Sequence, residues 1–276
     1  MSATVSEFHY GAVTPITAYL MACLGSALGL RCTTRSMRRR PGQRRWGWLL
    51  LGAVSLGCGI WTMHFIAMIG FSVEGALVSY DPVKTVLSLL VAIAVVALGV
   101  FLVGYRGAGA VTLGTAGLFT GVGVAAMHYL GMAAMRPGGT VHYDMPVVAA
   151  SVVIAVLAAT AALWAAVSVS AVWATVGASL VMGAAVSAMH YTGMAAVNVE
   201  LTASAAGRES STSLLAFLLV MLAGPLAVLI VSAVVVMFDP EVMLGSDDWE
   251  NGADRSAPLA ASGAQSNMFS RTQGRR

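Results

Sequence analysis

The chain has 276 residues, a formal net charge of +3, and 58% hydrophobic against only 10% charged residues. That balance excludes a soluble globular domain and points to a protein that crosses a membrane several times. The basic excess does not imply a nucleic-acid partner, because the charges lie almost wholly outside the apolar runs, where their placement reports topology.

A membrane span needs about 20 apolar residues, roughly 30 Å of helix. Seven stretches qualify: 12–31, 48–71, 83–104, 110–135, 147–168, 171–197 and 214–237. The first opens without a basic lead or a small-residue cleavage site, so a retained helix is expected rather than a signal peptide. The fifth and sixth are divided only by the small residues around Ser168 to Ala171, yet their joint length demands two helices. The expected fold is therefore all-α and polytopic, with an outer segment 1–11, a membrane domain 12–237, and a polar, disordered cytoplasmic tail 238–276.

Between the first two spans lie Arg31, Arg35, Arg38, Arg39, Arg40, Arg44 and Arg45, which mark that loop as cytoplasmic. Contact with anionic lipid would place the loop on the same side. Arg106 then also falls inside. The amino terminus falls outside, together with Glu7, Glu74, Asp81, Lys84, Arg136, Asp144, Glu200, Arg208 and Glu209. Seven spans return the carboxyl tail, with Asp247, Asp248, Glu250 and Asp254, to the cytoplasm. Gly25-x-x-x-Gly29 and Gly117-x-x-x-Gly121 suit close helix approach in lipid. Cys23, Cys32 and Cys58 show no CxxC spacing, and no disulfide framework is expected.

One phrase is written three times: Met63-His64-Phe65-Ile66-Ala67-Met68, Met127-His128-Tyr129-Leu130-Gly131-Met132 and Met189-His190-Tyr191-Thr192-Gly193-Met194. The histidines are 64 and 62 residues apart, a repeat period. Tyr80-Asp81-Pro82 and Tyr143-Asp144-Met145-Pro146 open the third and fifth spans as capping signals. Phe8-His9-Tyr10 resembles a third copy without the acid. Each two-helix unit thus descends on an odd span and rises on an even one bearing the phrase, which brings the three histidines to one depth on the outer side of midplane.

On a helix, the histidine and second methionine of each phrase share a face, whereas the first methionine points about 100° away. Polar side chains within a bilayer are costly and usually face the bundle interior or a cavity. Three at one level favour a shared site over repeated packing. Neutral imidazole ligates transition metals and thioether sulfur selects soft ions, so copper is the first choice. Zinc would use the histidines but gain nothing from the sulfurs. Haem held axially, for instance by His64 and His190, is a rival. His142 in an outer loop is expected to be solvated. Tyr129, Tyr191 and Thr192 could donate hydrogen bonds around the site or sit at the interface. Trp61 and Phe65 are expected to pack around His64, and Cys58 lies on another face. A membrane redox enzyme lacks a recognisable substrate pocket or acid–base pair here. A metal transporter would stage its ligands along a path rather than at one level.

The triple phrase resembles the bacterial MHYT family, integral membrane sensor modules named for Met-His-Tyr-Thr. The resemblance covers roughly residues 12–237. It implies a multi-pass protein of the bacterial inner membrane whose Met and His residues near the outer face bind a metal, copper above others, and sense a diatomic gas such as O2, CO or NO. By motif position these are Met63, His64 and Met68, then Met127, His128 and Met132, then Met189, His190 and Met194. The complete Met-His-Tyr-Thr stands only at 189–192. Phe65-Ile66 and Leu130 depart from it, which argues against a ligand role for the tyrosine or threonine. Relatives often carry a cytoplasmic cyclic-di-GMP domain. None lies in these 276 residues, so the resemblance implies a separate cytoplasmic signalling partner or another use of the module.

Overall fold

The computed structural model describes residues 5–6, 11–38, 45–73, 79–136, 139–169, 171–201 and 211–238. Seven helices occur among them: α1 (Val13–Arg38), α2 (Trp46–Ile69), α3 (Pro82–Arg106), α4 (Ala110–Ala134), α5 (Met145–Ser168), α6 (Val172–Ala195) and α7 (Ser211–Met237). All seven are long and apolar enough to cross a membrane. The protein is an all-α, multi-pass membrane protein. Residues 1–233 form one compact unit; of 234–276, residues 234–238 are described, helical through Met237. Glu7, His9, Tyr10, Arg39, Arg40, Arg44, Glu74, Arg208, Glu209 and the acidic tail lie outside the described residues.

The spans agree with the apolar runs to within a few residues, except that α1 continues beyond residue 31 to Arg38. Its extra turns are buried rather than solvated, with Cys32, Thr33 and Ser36 each at most 3% exposed. The Thr33 hydroxyl donates to the Gly29 carbonyl at 2.8 Å. The Ser36 hydroxyl donates to the Arg45 carbonyl at 3.1 Å, and Arg45 Nε donates to the Ser36 carbonyl at 3.0 Å. These polar ties let the helix run on where hydropathy alone fades.

The capping signals act as the sequence implies. Asp81 accepts hydrogen bonds from the backbone N–H groups of Val83 at 3.0 Å and Lys84 at 3.2 Å, satisfying first-turn donors of α3. Asp144 accepts from Val147 N at 3.5 Å at the start of α5. Pro82 and Pro146 sit within the first two helical positions, where no N–H is missed.

Sequence reading assigns the outer connections to loops, but part of each pairs as strand. β1 (Val5–Ser6) lies antiparallel to β2 (Ser72–Val73), β3 (Ser79–Tyr80) to β4 (Met135–Arg136), and β5 (Gly139–Tyr143) to β6 (Val197–Leu201). Pairs this short are marginal alone. Here each one clamps the open end of a helix hairpin, so the helices deliver the strands side by side. Asp81 N donates to the Ala134 carbonyl at 2.8 Å, and Asp144 N to the Ala196 carbonyl at 2.9 Å. The starts of α3 and α5 are thereby tied to the ends of α4 and α6.

Each helix from α1 to α6 packs against its sequence neighbours, and α6 packs against α1, closing a six-helix ring. Leu218 and Leu222 of α7 join the core of that ring. Small residues set the spacing. A Cβ added to Gly25 would lie 2.6 Å from Gly59 Cα, so α1 and α2 meet backbone to backbone. Gly29 lies against Leu56, and Gly117 and Gly121 lie against Thr160 and Val156 of α5. With hydrocarbon on the outside, such contacts supply the van der Waals contact that holds helices together in lipid.

Candidate metal centre

His64, His128 and His190 sit five or six residues from the ends of α2, α4 and α6. Because the strand clamps level those ends, the histidines reach one depth inside the ring. Their exposures are 1%, 0% and 1%. The ring centroids are 4.9 Å apart for His64 and His128, 5.0 Å for His64 and His190, and 5.1 Å for His128 and His190. Interplanar angles of 78°, 77° and 90° make the three imidazoles a near-threefold propeller.

The propeller turns Nδ1 inward. His64 Nδ1 lies 3.0 Å from His190 Nδ1 and 3.2 Å from His128 Nδ1. A neutral imidazole nitrogen holds either one proton or one lone pair. His64 Nδ1 therefore serves both neighbours at once only by splitting a single proton or a single lone pair between them. A cation instead takes all three lone pairs. Nitrogens bound at about 2.0–2.1 Å to one metal ion stand about 3.3–3.5 Å apart, close to these separations. The donor set thus fits a small transition-metal ion.

With Nδ1 turned inward as a lone pair, the proton sits on Nε2, and Nε2 of His64 and of His128 are buried without a hydrogen-bond partner. They lie against Gly131 and Gly193, where an added Cβ would land on His64 Nε2 and His128 Nε2 respectively. α2 and α4 therefore each lay their imidazole over the glycine three residues beyond the histidine of the next even-numbered helix. The corresponding position on α2 is Ala67, 4% exposed. Two unsatisfied donors cost about 1–3 kcal/mol each. Metal binding of the strength measured at structural zinc sites, about 10–16 kcal/mol, exceeds that cost.

Of the residues the sequence singles out, the structure brings the three histidines together. The six methionines are buried, none more than 4% exposed. Met68, Met127, Met132, Met189 and Met194 belong to the main core. Met63 turns toward α1 and packs with Ala18, Ala22 and Ala67. Each histidine edge meets the ring that follows it: Phe65 at 4.8 Å, Tyr129 at 4.9 Å and Tyr191 at 5.0 Å between centroids. Tyr129 Oη hydrogen-bonds the Ser151 hydroxyl of α5 at 2.7 Å rather than an imidazole. Trp61 stacks on Phe65 and donates from Nε1 to Ser88 Oγ at 2.9 Å. His142 stands exposed on β5, and Cys58 is buried and free.

Sequence reasoning missed Gly131 and Gly193. Their signal was present as His-x-x-Gly in the second and third phrases, indistinguishable there from ordinary small-residue packing. It also missed the tie at the strand-clamp end in which Arg136 pairs with Asp81 at 2.7 Å and Lys84 Nζ donates to the Ala133 carbonyl at 3.1 Å. The Lys84 N–H bond holds the Asp81 carboxyl below its ordinary range, helped by Val83 N–H and by Arg136.

Comparison with known proteins places this geometry in a family. The model of the bacterial signalling protein N-terminal repeat, MHYT, matches residues 57–116 and 121–179. The third phrase, at 189–194, continues the same period. The cyclic di-GMP phosphodiesterase NbdA of Pseudomonas aeruginosa is 38% identical over 67% of this chain and 24% of its own length. The bifunctional diguanylate cyclase/cyclic di-GMP phosphodiesterase MucR of the same organism is 37% identical over 83% of this chain and 34% of its own. The signaling protein YkoW of Bacillus subtilis is 26% identical over 69% of this chain and 24% of its own. The chain thus spans about a quarter to a third of the length of these relatives. No solved structure matches it. The repeated phrase, the paired helices and these likenesses together make the chain a member of the MHYT family of bacterial signalling proteins.

Proposed function

We propose that the protein is a sensory module of the bacterial inner membrane that holds copper at His64, His128 and His190 and responds to a diatomic gas, O2, CO or NO. The observation that carries this reading is the convergence of three Nδ1 atoms in a fully buried site. Met68, Met132 and Met194 supply soft sulfur on the faces shared with the histidines. Met63, Met127 and Met189 lie beside the same histidines in sequence and complete the proposed ligand set, which Met63 joins only by leaving its packing against Ala18 and Ala22 of α1. Copper held by the three imidazoles would supply an open coordination position to a small ligand.

The chain's own residues orient and shield that position. Gly131 and Gly193 admit the imidazoles, and Phe65, Tyr129 and Tyr191 wall them off. The strand clamps fix the depth of each helix end. A gas shifts the ring only by binding one packing arrangement better than another. In the proposed orientation the amino terminus and clamps are outside and the arginine-bearing end of α1 is cytoplasmic. The output is a cytoplasmic signalling partner, for which the relatives point to cyclic-di-GMP turnover.

Zinc on the histidines alone is the closest alternative, and metal identification separates the two. An axial haem pair is disfavoured by the 3.0 Å between His64 and His190 nitrogens, too short to straddle an iron bonded to both. The test is metal analysis of protein purified after expression with copper. Retention that depends on all three histidines supports the proposal; a folded protein that never retains metal defeats it.

A further inference from the structure

Beside the triad, on its mid-span side, the ring is not filled. A cavity of about 40 Å³ lies among α2, α4, α5 and α6. Its wall includes Ile60, Val124 and Val186, each four residues before one of the triad histidines. Helical side chains lean toward the N-terminus, so each imidazole extends over the residue four positions earlier. The cavity therefore adjoins the triad about one turn, or 6 Å, along the helix axes.

The wall is wholly aliphatic or thioether. Met189, next to His190, contributes to it, and α5 contributes an alanine face that includes Ala155 and Ala159. A buried water needs two to four polar partners, which this lining does not offer, so the space stays dry. It exceeds the roughly 10–15 Å³ that one water-sized body requires, yet is too small for a lipid chain or a prosthetic group. The opposite face of α5 exposes Val153, Leu157 and Trp164. The space is partly open rather than sealed, with Ala158, Ala162 and Val186 of its wall only partly buried, and the far side of α5 faces hydrocarbon, the phase in which apolar gases dissolve best.

We propose that this cavity is a binding site for an apolar gas of diatomic size, which enters from the lipid beside α5 and is held one turn from the histidines. Its role as an antechamber rests on the gas-binding reading of the triad, whereas its capacity to hold gas does not.

Xenon is the probe, applied to methyl-labelled protein in lipid nanodiscs. Saturable shifts are expected at the Ile60, Val124 and Ala159 methyls and not at exposed Val13. Ala159→Leu should fill the space and abolish them. Should that variant fail to fold, Val124→Ala should enlarge the space and strengthen xenon binding. In copper-loaded protein, Ala159→Leu should slow CO association several-fold while copper content stays unchanged. Absence of saturable shifts in folded wild type, or shifts indifferent to both substitutions, would overturn the site. An unaltered CO rate in the filled variant would overturn its role as antechamber. Copper content is measured on the same samples: xenon binding without retained metal supports the cavity and removes the triad reading, and retained metal without xenon binding does the reverse.

Discussion

Two sets of glycines do opposite work in this ring. Gly25 and Gly59 meet at mid-span with nothing but backbone between them, whereas Gly131 and Gly193 meet the edges of imidazoles. The first contact is between rigid helices and cannot relax without separating them. The second is with a side chain that can swing away. The mid-span glycines therefore maintain the fold, and the outer ones maintain the aim of the histidines.

The largest effect is expected from Gly25→Val, which forces α1 off α2 at a cost of about 3 kcal/mol by overpacking. Thermal unfolding in detergent should register it as a lower midpoint, and an unchanged midpoint would dissolve the distinction. Gly131→Ala and Gly193→Ala should leave the unfolding midpoint near that of wild type while metal affinity falls about 10–100-fold, the usual consequence of disturbing what orients a ligand. Competition with a chelator of known affinity measures this. Ala67→Gly sharpens the comparison, since α2 already carries a Cβ at the corresponding position and should hold metal as wild type does.

Weaker effects belong to the rim. Asp81→Ala removes the acceptor of two helix N–H groups and the partner of Arg136, so it should destabilise more than Asp144→Ala, which removes one long hydrogen bond. The Asp81 carboxyl is held below its usual range, so its contribution is complete above the unfolded carboxylate value of about 4 and fades as pH falls through the lower folded value. Unfolding midpoints of wild type and Asp81→Ala should converge only in that acid window; a gap that persists there would assign the effect to something other than the carboxylate. Arg136→Ala, altering a side chain 67% exposed, should change the midpoint least.

Much of this was legible in the sequence because lipid imposes simple rules. Spans must be apolar and long, so all seven helices could be read from hydropathy, and the 64- and 62-residue spacing revealed the hairpin repeat. Asp81-Pro82 and Asp144-Met145-Pro146 announced helix starts through capping chemistry. The strand clamps were not legible, because two-residue strands such as Ser79–Tyr80 carry no periodicity, and even the five-residue pair Gly139–Tyr143 and Val197–Leu201 forms only where a hairpin brings its partners alongside. Likewise, a shared depth could be inferred for the histidines, but the inward turn of Nδ1 depends on Gly131 and Gly193 lying under neighbouring rings. The end of α1 was placed too early because Thr33 and Ser36 look like loop residues until their hydrogen bonds are seen.

The proposed centre requires that three imidazoles hold one metal ion. Copper determination on wild-type protein and on His64→Ala, His128→Ala and His190→Ala, each verified as folded, tests it most directly. One copper ion per wild-type chain and near-complete loss in every single variant are expected; a folded wild type without metal, or variants that keep it, would show that the imidazoles do not share an ion.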